Sequence, residues 1–290
     1  MIFLAPECFP CFLLQADLAA RAHGASEKER IALAARIGGM LPELPSRAEI
    51  PADTATRIQE VIREALGTDD PFGPVKERHL ARFPEMSRWA KGLVDVSPDR
   101  WAAAVWMSGF GNIMDSGIIE QDAMDREVGS IAQGIREYRL PARFRERLLS
   151  AHRVGVLLDN AGEAAFDVPL LSLLASGGKA LWMGVKGGAV IDDLTFPEAS
   201  ELGLSTFGEL VSNGNRAVGT VPEMCAGPFR DRLVSSDLVL SKGQGNFETL
   251  VGKYRNSWFL LRCKCPVVSR AVGRPEGELL LLDADGRHAT

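Results

Sequence analysis

Between residues 15 and 67 the apolar positions recur at helical spacing. Ile58, Val61, Ile62, Ala65 and Leu66 form one such stripe, and Gly67 closes it. Residues 27–41 are rich in Ala and Leu, with charges on the outer face. Asp69-Asp70-Pro71-Phe72-Gly73-Pro74 reads as a turn, and from Lys76 a further helix is predicted through Leu80, Phe83 and Met86. Ser97-Pro98-Asp99 has the form of a helix start: Ser97 as cap, proline at the first helical position, an acid in the first turn. That helix carries Trp101, Val105 and Trp106 into Ser108-Gly109-Phe110-Gly111-Asn112-Ile113-Met114-Asp115. There, glycines allow close backbone approach, and Asn112 and Asp115 place polar groups in an apolar surround; the plainer reading is helix packing around a kink. Residues 141–150, with Arg143, Arg145 and Arg147, read as a helix with a solvated basic face.

Past residue 150 the pattern changes. Val154-Gly155-Val156-Leu157-Leu158 is a short uninterrupted apolar run, as in a strand buried on both faces of a parallel sheet. Residues 164–176 suit a helix, 178–185 a strand, 197–203 a short helix, and 209–214 a strand ending in a turn. Residues 225–234 are then helical, 237–246 a strand entering a glycine loop, 258–261 a strand, and 278–282 a last one. Helices alternating with strands predict an α/β fold: a three-layer, Rossmann-like, largely parallel sheet. The shift near residue 150 predicts an N-terminal helical subdomain, 1–150, and an α/β domain, 151–290.

Composition narrows the function. The 290 residues are 46% hydrophobic and 24% charged, as in an ordinary globular protein, and the net charge is −5. That balance argues against general nucleic-acid or anionic-membrane binding. The apolar start is interrupted by Pro6, Glu7 and Pro10 and has no basic leader, so no signal peptide is expected. No run approaches the roughly 18 apolar residues of a membrane span. Five cysteines, odd and sparse, make a disulfide framework unexpected, and a cytoplasmic location is the default. Cys8/Cys11 and Cys263/Cys265 allow a four-thiolate metal site by arithmetic, with buried inert thiols as the plainer reading. Oligomeric state has no signature here.

Three predicted strand ends carry the chemistry. Val154–Leu158 runs into Asp159-Asn160-Ala161-Gly162-Glu163, the next ends toward Asp192-Asp193, and a third ends at Lys242-Gly243. In a parallel sheet these ends share one edge, where open α/β sheets bind ligands. Two carboxylates and an amide suit a hard divalent cation such as Mg²⁺ or Mn²⁺. Lys242 and the Gly243 amide can meet a phosphate. Taken alone, Asp159-Asn160 also suits an Asx turn. The four histidines do not cluster with the acids, and no Gly-x-Ser-x-Gly elbow occurs.

These residues resemble a family. Asp159-Asn160-Ala161-Gly162-Glu163 with Asp167, the segment 187–193, Asn213-Gly214 and Ser241-Lys242-Gly243-Gln244-Gly245-Asn246-Phe247-Glu248 look like the damage-control phosphatases, or domain of unknown function 89. Asp70-Pro71-Phe72 with Lys76, and Gly111 to Asp115, also fit. Cys8/Cys11 with Lys264-Cys265 looks like the prokaryotic, metal-dependent branch. The resemblance implies a metal-dependent phosphatase acting on small phosphorylated metabolites, such as sugar phosphates or cofactor precursors. It implies a divalent ion (Mg, Mn, Co or Ni) on Asp159, Asn160 and Asp193, with Glu163 orienting a bound water. Lys242, Gly243, Asn213 and Gly214 would contact substrate, and Asn112 and Asp115 would cap it. Attack by water and attack by Asp159 itself are both open. Asp192 departs from the family's usual Asn. Two other readings have weaker support: a Rossmann-like S-adenosylmethionine-dependent methyltransferase, which lacks its glycine-rich turn, and a non-catalytic metal-dependent sugar-phosphate-binding protein.

Overall fold

The computed structural model describes residues 2–43, 50–111, 131 and 133–288. The alternating half forms one six-stranded sheet of β1 (Arg153–Leu157), β2 (Ala180–Val185), β3 (Glu209–Ser212), β4 (Leu238–Lys242), β5 (Ser257–Arg262) and β6 (Leu279–Leu282). Their spatial order is β3-β2-β1-β4-β5-β6. All neighbours pair in parallel except β5 and β6, which are antiparallel. The predicted largely parallel α/β sheet is therefore what the chain forms. Its central strands are apolar throughout because helices cover both faces: Val154, Gly155, Val156 and Leu157 of β1 are buried, and so is every residue of β4.

Two hydrophobic clusters fill the two faces. In one, α1 (Cys8–His23), α2 (Glu27–Met40) and α3 (Pro51–Leu66) bring Phe12, Ile37, Ile58 and Ile62 against Trp182, Phe229 and Phe259. In the other, α5 (Phe83–Asp95) and α6 (Arg100–Phe110) bring Met86, Val105 and Phe110 against Phe166, Leu240 and Trp258. Helices from before residue 150 thus share both cores with the sheet.

Local details differ from the sequence pattern in two places. The stretch after Lys76 is two helices, α4 (Gly73–Ala81) and α5, because Pro84 starts a new helix in its first turn. The cap of α6 is Asp99, not Ser97: Asp99 Oδ1 accepts the Ala102 amide at 3.1 Å, so Pro98 lies outside the helix.

The strand order places β1 beside β4, and the chain leaves β1 toward β2 on one side while β4 continues toward β5 on the other. The carboxyl ends of β1 and β4 therefore flank the topological switch point, where a crevice opens.

Candidate active site

Asp159 and Asn160 follow β1 directly and stand at that crevice. Their backbone is laced to the segment carrying the second acid pair. The Leu194 amide donates to Asp159 O at 2.8 Å, the Ala161 amide to Asp192 O at 2.8 Å, and Asn160 forms a bridge with Asp193. Between β2 and Asp192 the chain turns at Ile191, whose φ of 47° is a left-handed value rare for a β-branched residue. Asp159, Asn160, Asp192 and Asp193 together form the floor of a cleft of about 610 Å³, within the usual size of small-molecule sites. Its walls come from α1, α3 and α4 on one side and from the glycine loop and residues 264–267 on the other.

The floor is crowded with carboxylates. Burial pushes the Asp159 carboxyl well above the usual carboxylate range, and Glu163 and Asp193 push it further. Burial likewise raises Asp193, and raises Asp192 to about 7 with help from its neighbour Asp193. Two buried lysines offset part of this charge. Lys186 Nζ lies 3.2 Å from Asp193 Oδ2 and donates to Ala217 O at 2.8 Å and to Gly219 O. Lys242 Nζ lies 2.6 Å from Glu163 Oε2 and 2.7 Å from Asp167 Oδ1. Glu163 in turn accepts the Asn160 amide nitrogen on Oε1 at 3.1 Å, which leaves the Asn160 oxygen as the donor for a ligand.

That donor set fits a hard divalent cation: two carboxylates and an amide oxygen on a floor with acid in excess of base. Among the described residues no three His, Cys, Asp or Glu side chains gather as a ready metal cage. The set is two acids plus Asn160. The paired cysteines do not form a four-thiolate site either: Cys8, Cys11 and Cys265 line the cleft wall, whereas Cys263 is buried away from it.

The expected phosphate contacts need correction. Lys242 is fully buried, at 0% exposure, and is not on the cleft wall. Burial alone would lower its pKa, but Asp167 and Glu163 hold it well above the ordinary lysine value. Pulling it away would strand two buried carboxylates, at a cost of about 3–5 kcal/mol. The Gly243 amide is also committed, donating to Leu260 O at 3.0 Å. What Gly243 supplies is space: its φ is 79°, and a Cβ there would lie 1.9 Å from Asp159 Oδ2. Asn213 is a structural residue, its Oδ1 accepting the Gly187 amide at 2.8 Å and the Asn215 amide at 3.0 Å. Neither it nor Gly214 lines the cleft. Gly162 lets the His79 ring approach, since a Cβ there would sit 2.8 Å from Nδ1. Asn112 and Asp115 lie outside the described residues.

Several residues near the floor have no role assigned from the sequence. Lys186 follows β2 directly, one position past the level of Lys242 on β4. Lys76 is buried between Asp70 and Glu198, at 2.7 Å from each. Glu248 and Gln244 line the far wall, where Gln244 Nε2 donates to Glu248 Oε1 at 3.0 Å.

Glu248 allows a test by pH. Burial raises its carboxyl to about 7, against lowering contributions from Gln244 and the Ala52 backbone. Between about pH 4.5 and 7 the folded state then holds a proton that the unfolded chain has lost, so stability falls as pH rises through that window. Glu248→Gln is expected to be more stable than the native protein at pH 8 by about 2–3 kcal/mol and equal to it near pH 4.5. Melting curves of the two proteins that run parallel from pH 5 to 8 would refute this.

Comparison with known proteins gives the family and the fold. The model of the damage-control phosphatase ARMT1-like domain matches residues 4–280. A damage-control phosphatase of Archaeoglobus fulgidus is 31% identical over 245 residues, covering 83% of this chain and 85% of that protein. The damage-control phosphatase PH1575 of Pyrococcus horikoshii is 28% identical over 239 residues, covering 80% of this chain and 81% of its own. The crystal structure of PH1575, described as a DUF89 family protein, superposes with a TM-score of 0.83 at 24% identity, covering 98% of this chain and 100% of that one. By the extent of the domain match and the 31% identity, the chain belongs to the damage-control phosphatase ARMT1-like family.

Proposed function

We propose that the protein is a divalent-metal-dependent phosphatase that hydrolyses small phosphorylated metabolites, sugar phosphates or phosphorylated cofactor precursors among them. The observation that carries this reading is the cleft floor: Asp159 and Asn160 from the exit of β1 and Asp193 from the loop after β2, laced by backbone hydrogen bonds, with more buried acid than base around them. Asp159, Asn160 and Asp193 would hold the cation. Bound there, it would polarise phosphoryl oxygens and make an approaching water acidic. Asp159 lines the cleft at the exit of β1, where it could itself attack or position a water. Lys186 and Lys242 offset part of the charge of the neighbouring carboxylates Asp193, Glu163 and Asp167. At about 610 Å³ the cleft admits a small metabolite and no folded macromolecule. Arg21, Arg78 and Lys264 on its walls supply positive charge toward an anionic substrate.

Among the described residues no helix is long and apolar enough to cross a membrane. Five cysteines, odd in number and sparse, are the basis for proposing a reducing, cytoplasmic setting. Cys8, Cys11 and Cys265 together on the cleft wall support membership of the branch marked by an N-terminal CxxC.

The test is release of inorganic phosphate from a panel of phosphomonoesters with Mg²⁺, Mn²⁺, Co²⁺ or Ni²⁺ added to chelator-treated protein. Turnover that appears with at least one metal and vanishes again with excess EDTA is expected. Equal turnover with and without EDTA would remove the metal from the reading, and none under any condition would remove the phosphatase.

A further inference from the structure

The cleft floor raises a question about Lys242: it was expected to grip phosphate, yet it never reaches the cleft. Its three ammonium hydrogens face three carboxylate oxygens, Glu163 Oε2 at 2.6 Å and both oxygens of Asp167 at 2.7 and 2.9 Å. Asp167 is held from its other side by Ser108, whose hydroxyl donates to Oδ1 at 2.5 Å. Glu163 passes the constraint on, since its second oxygen accepts the amide of Asn160. All of these groups except Asn160 lie behind the floor, and none of Ser108, Glu163, Asp167 and Lys242 is on the cleft wall.

We infer that Lys242 is a positioning residue: through Glu163 it fixes the Asn160 side chain for the cation, and it makes no contact with the substrate phosphate. This rests on the metal-dependent phosphatase reading. Ser108, Asp167, Lys242, Glu163 and Asn160 form one hydrogen-bonded chain that runs from α6 across β4 to the end of β1. A side chain tied at both ends in this way turns little, so the amide oxygen of Asn160 is presented in one orientation. The same chain explains why an ammonium sits so near a cation site. As a bare charge it would repel the ion, and only the orientation it enforces makes it useful there.

Two physical roles therefore predict opposite results. A positioning Lys242 controls metal affinity, and a phosphate-binding Lys242 controls phosphate affinity. The variants are Lys242→Met with Asp167→Asn, which strands one acid fewer than the single change, and Glu163→Ala, which leaves the Lys242–Asp167 pair intact but cuts Asn160 loose. Calorimetric titration with Mn²⁺ alone reads metal affinity. The KM for p-nitrophenyl phosphate and the inhibition constant of inorganic phosphate, both at saturating Mn²⁺, read phosphate affinity.

The expected result is Mn²⁺ affinity weakened about 10- to 100-fold in both variants, with KM and phosphate inhibition within about threefold of the native protein. Combining Glu163→Ala with the Lys242 and Asp167 changes should add little, because both cut the same chain. Mn²⁺ affinity that is unchanged or tighter, with KM or phosphate inhibition worsened tenfold or more, would overturn the inference and make Lys242 a phosphate ligand. Native protein that binds Mn²⁺ but releases no phosphate would overturn the phosphatase reading alone, because the affinity comparison still decides the role of Lys242.

Discussion

Asp159→Asn is expected to reduce phosphate release by about a thousandfold or more while raising the melting temperature of the metal-free protein. Both effects have one cause. In the absence of a cation, the half-buried Asp159 carboxylate lies beside Glu163 and Asp193, and its ionised form is disfavoured by desolvation and by both neighbours. An amide of the same shape removes that repulsion and retains the backbone bond from the Leu194 amide to Asp159 O. A gain of about 1–2 kcal/mol, or a few degrees in a chain of this length, is expected at neutral pH. Adding Mn²⁺ should then stabilise the native protein and leave the variant almost unmoved. Thermal melts with EDTA and with Mn²⁺, beside a phosphate-release assay, give all three readings. A variant that melts lower than the native protein without metal, or that keeps turning over, would show that the site does not work by holding a cation.

Gly243→Ala should disable the site without touching a charged group. A Cβ at this position would lie 1.9 Å from Asp159 Oδ2 and 2.2 Å from its Cγ, far inside contact distance, so the carboxylate must move. Displacing a reacting group by about 1 Å costs on the order of a hundredfold in rate. The φ of 79° adds a strain of about 1–3 kcal/mol. Gly252 separates the two effects: it has the same φ of 79°, and a Cβ there meets nothing within 4 Å. Gly252→Ala should therefore lose stability through its backbone alone and keep its activity. Equal activities for the two variants at a temperature where both are folded would mean that Asp159 does not need its present position.

How much of this could be read beforehand depends on whether a group's neighbours are close in sequence or distant. Val154 to Leu158 is apolar because both sheet faces are covered, so one short run indicated a parallel sheet with Asp159 at its exit. Asp193 does not stand at the end of the next strand: it lies in the loop beyond Val185, which folds back to bridge Asn160, and only that long-range pairing brings it to the floor. Lys242 was located correctly at a strand end, but the direction of its side chain was not legible. That direction depends on Asp167, which the helix Ala164–Ser176 brings back under the floor, and on Ser108 from α6. Asn213 was misread for a similar reason: an amide at a strand end can bind a ligand or tie its own loop, and Gly187 and Asn215 decide for the loop. The cap of α6 turned on geometry at one residue's scale, where Ser97 and Asp99 are both good caps and only the Ala102 amide chooses. The meeting of the two cleft walls is beyond the pattern altogether, because α1 and residues 264–267 are more than 200 positions apart.

The lacing between residues 159–161 and 192–194 also bears on heat. Two acids on independent loops would drift apart as each loop's thermal motion grew, and the span between their oxygens would widen and fluctuate. Here the Ala161 and Leu194 amides tie each segment to the other's carbonyls, so the two acids shift in unison. The rest of the cleft can loosen around them while the distance between them stays nearly constant. Warming would then be felt first in the helical walls that admit the substrate, and last in the spacing of Asp159 and Asp193.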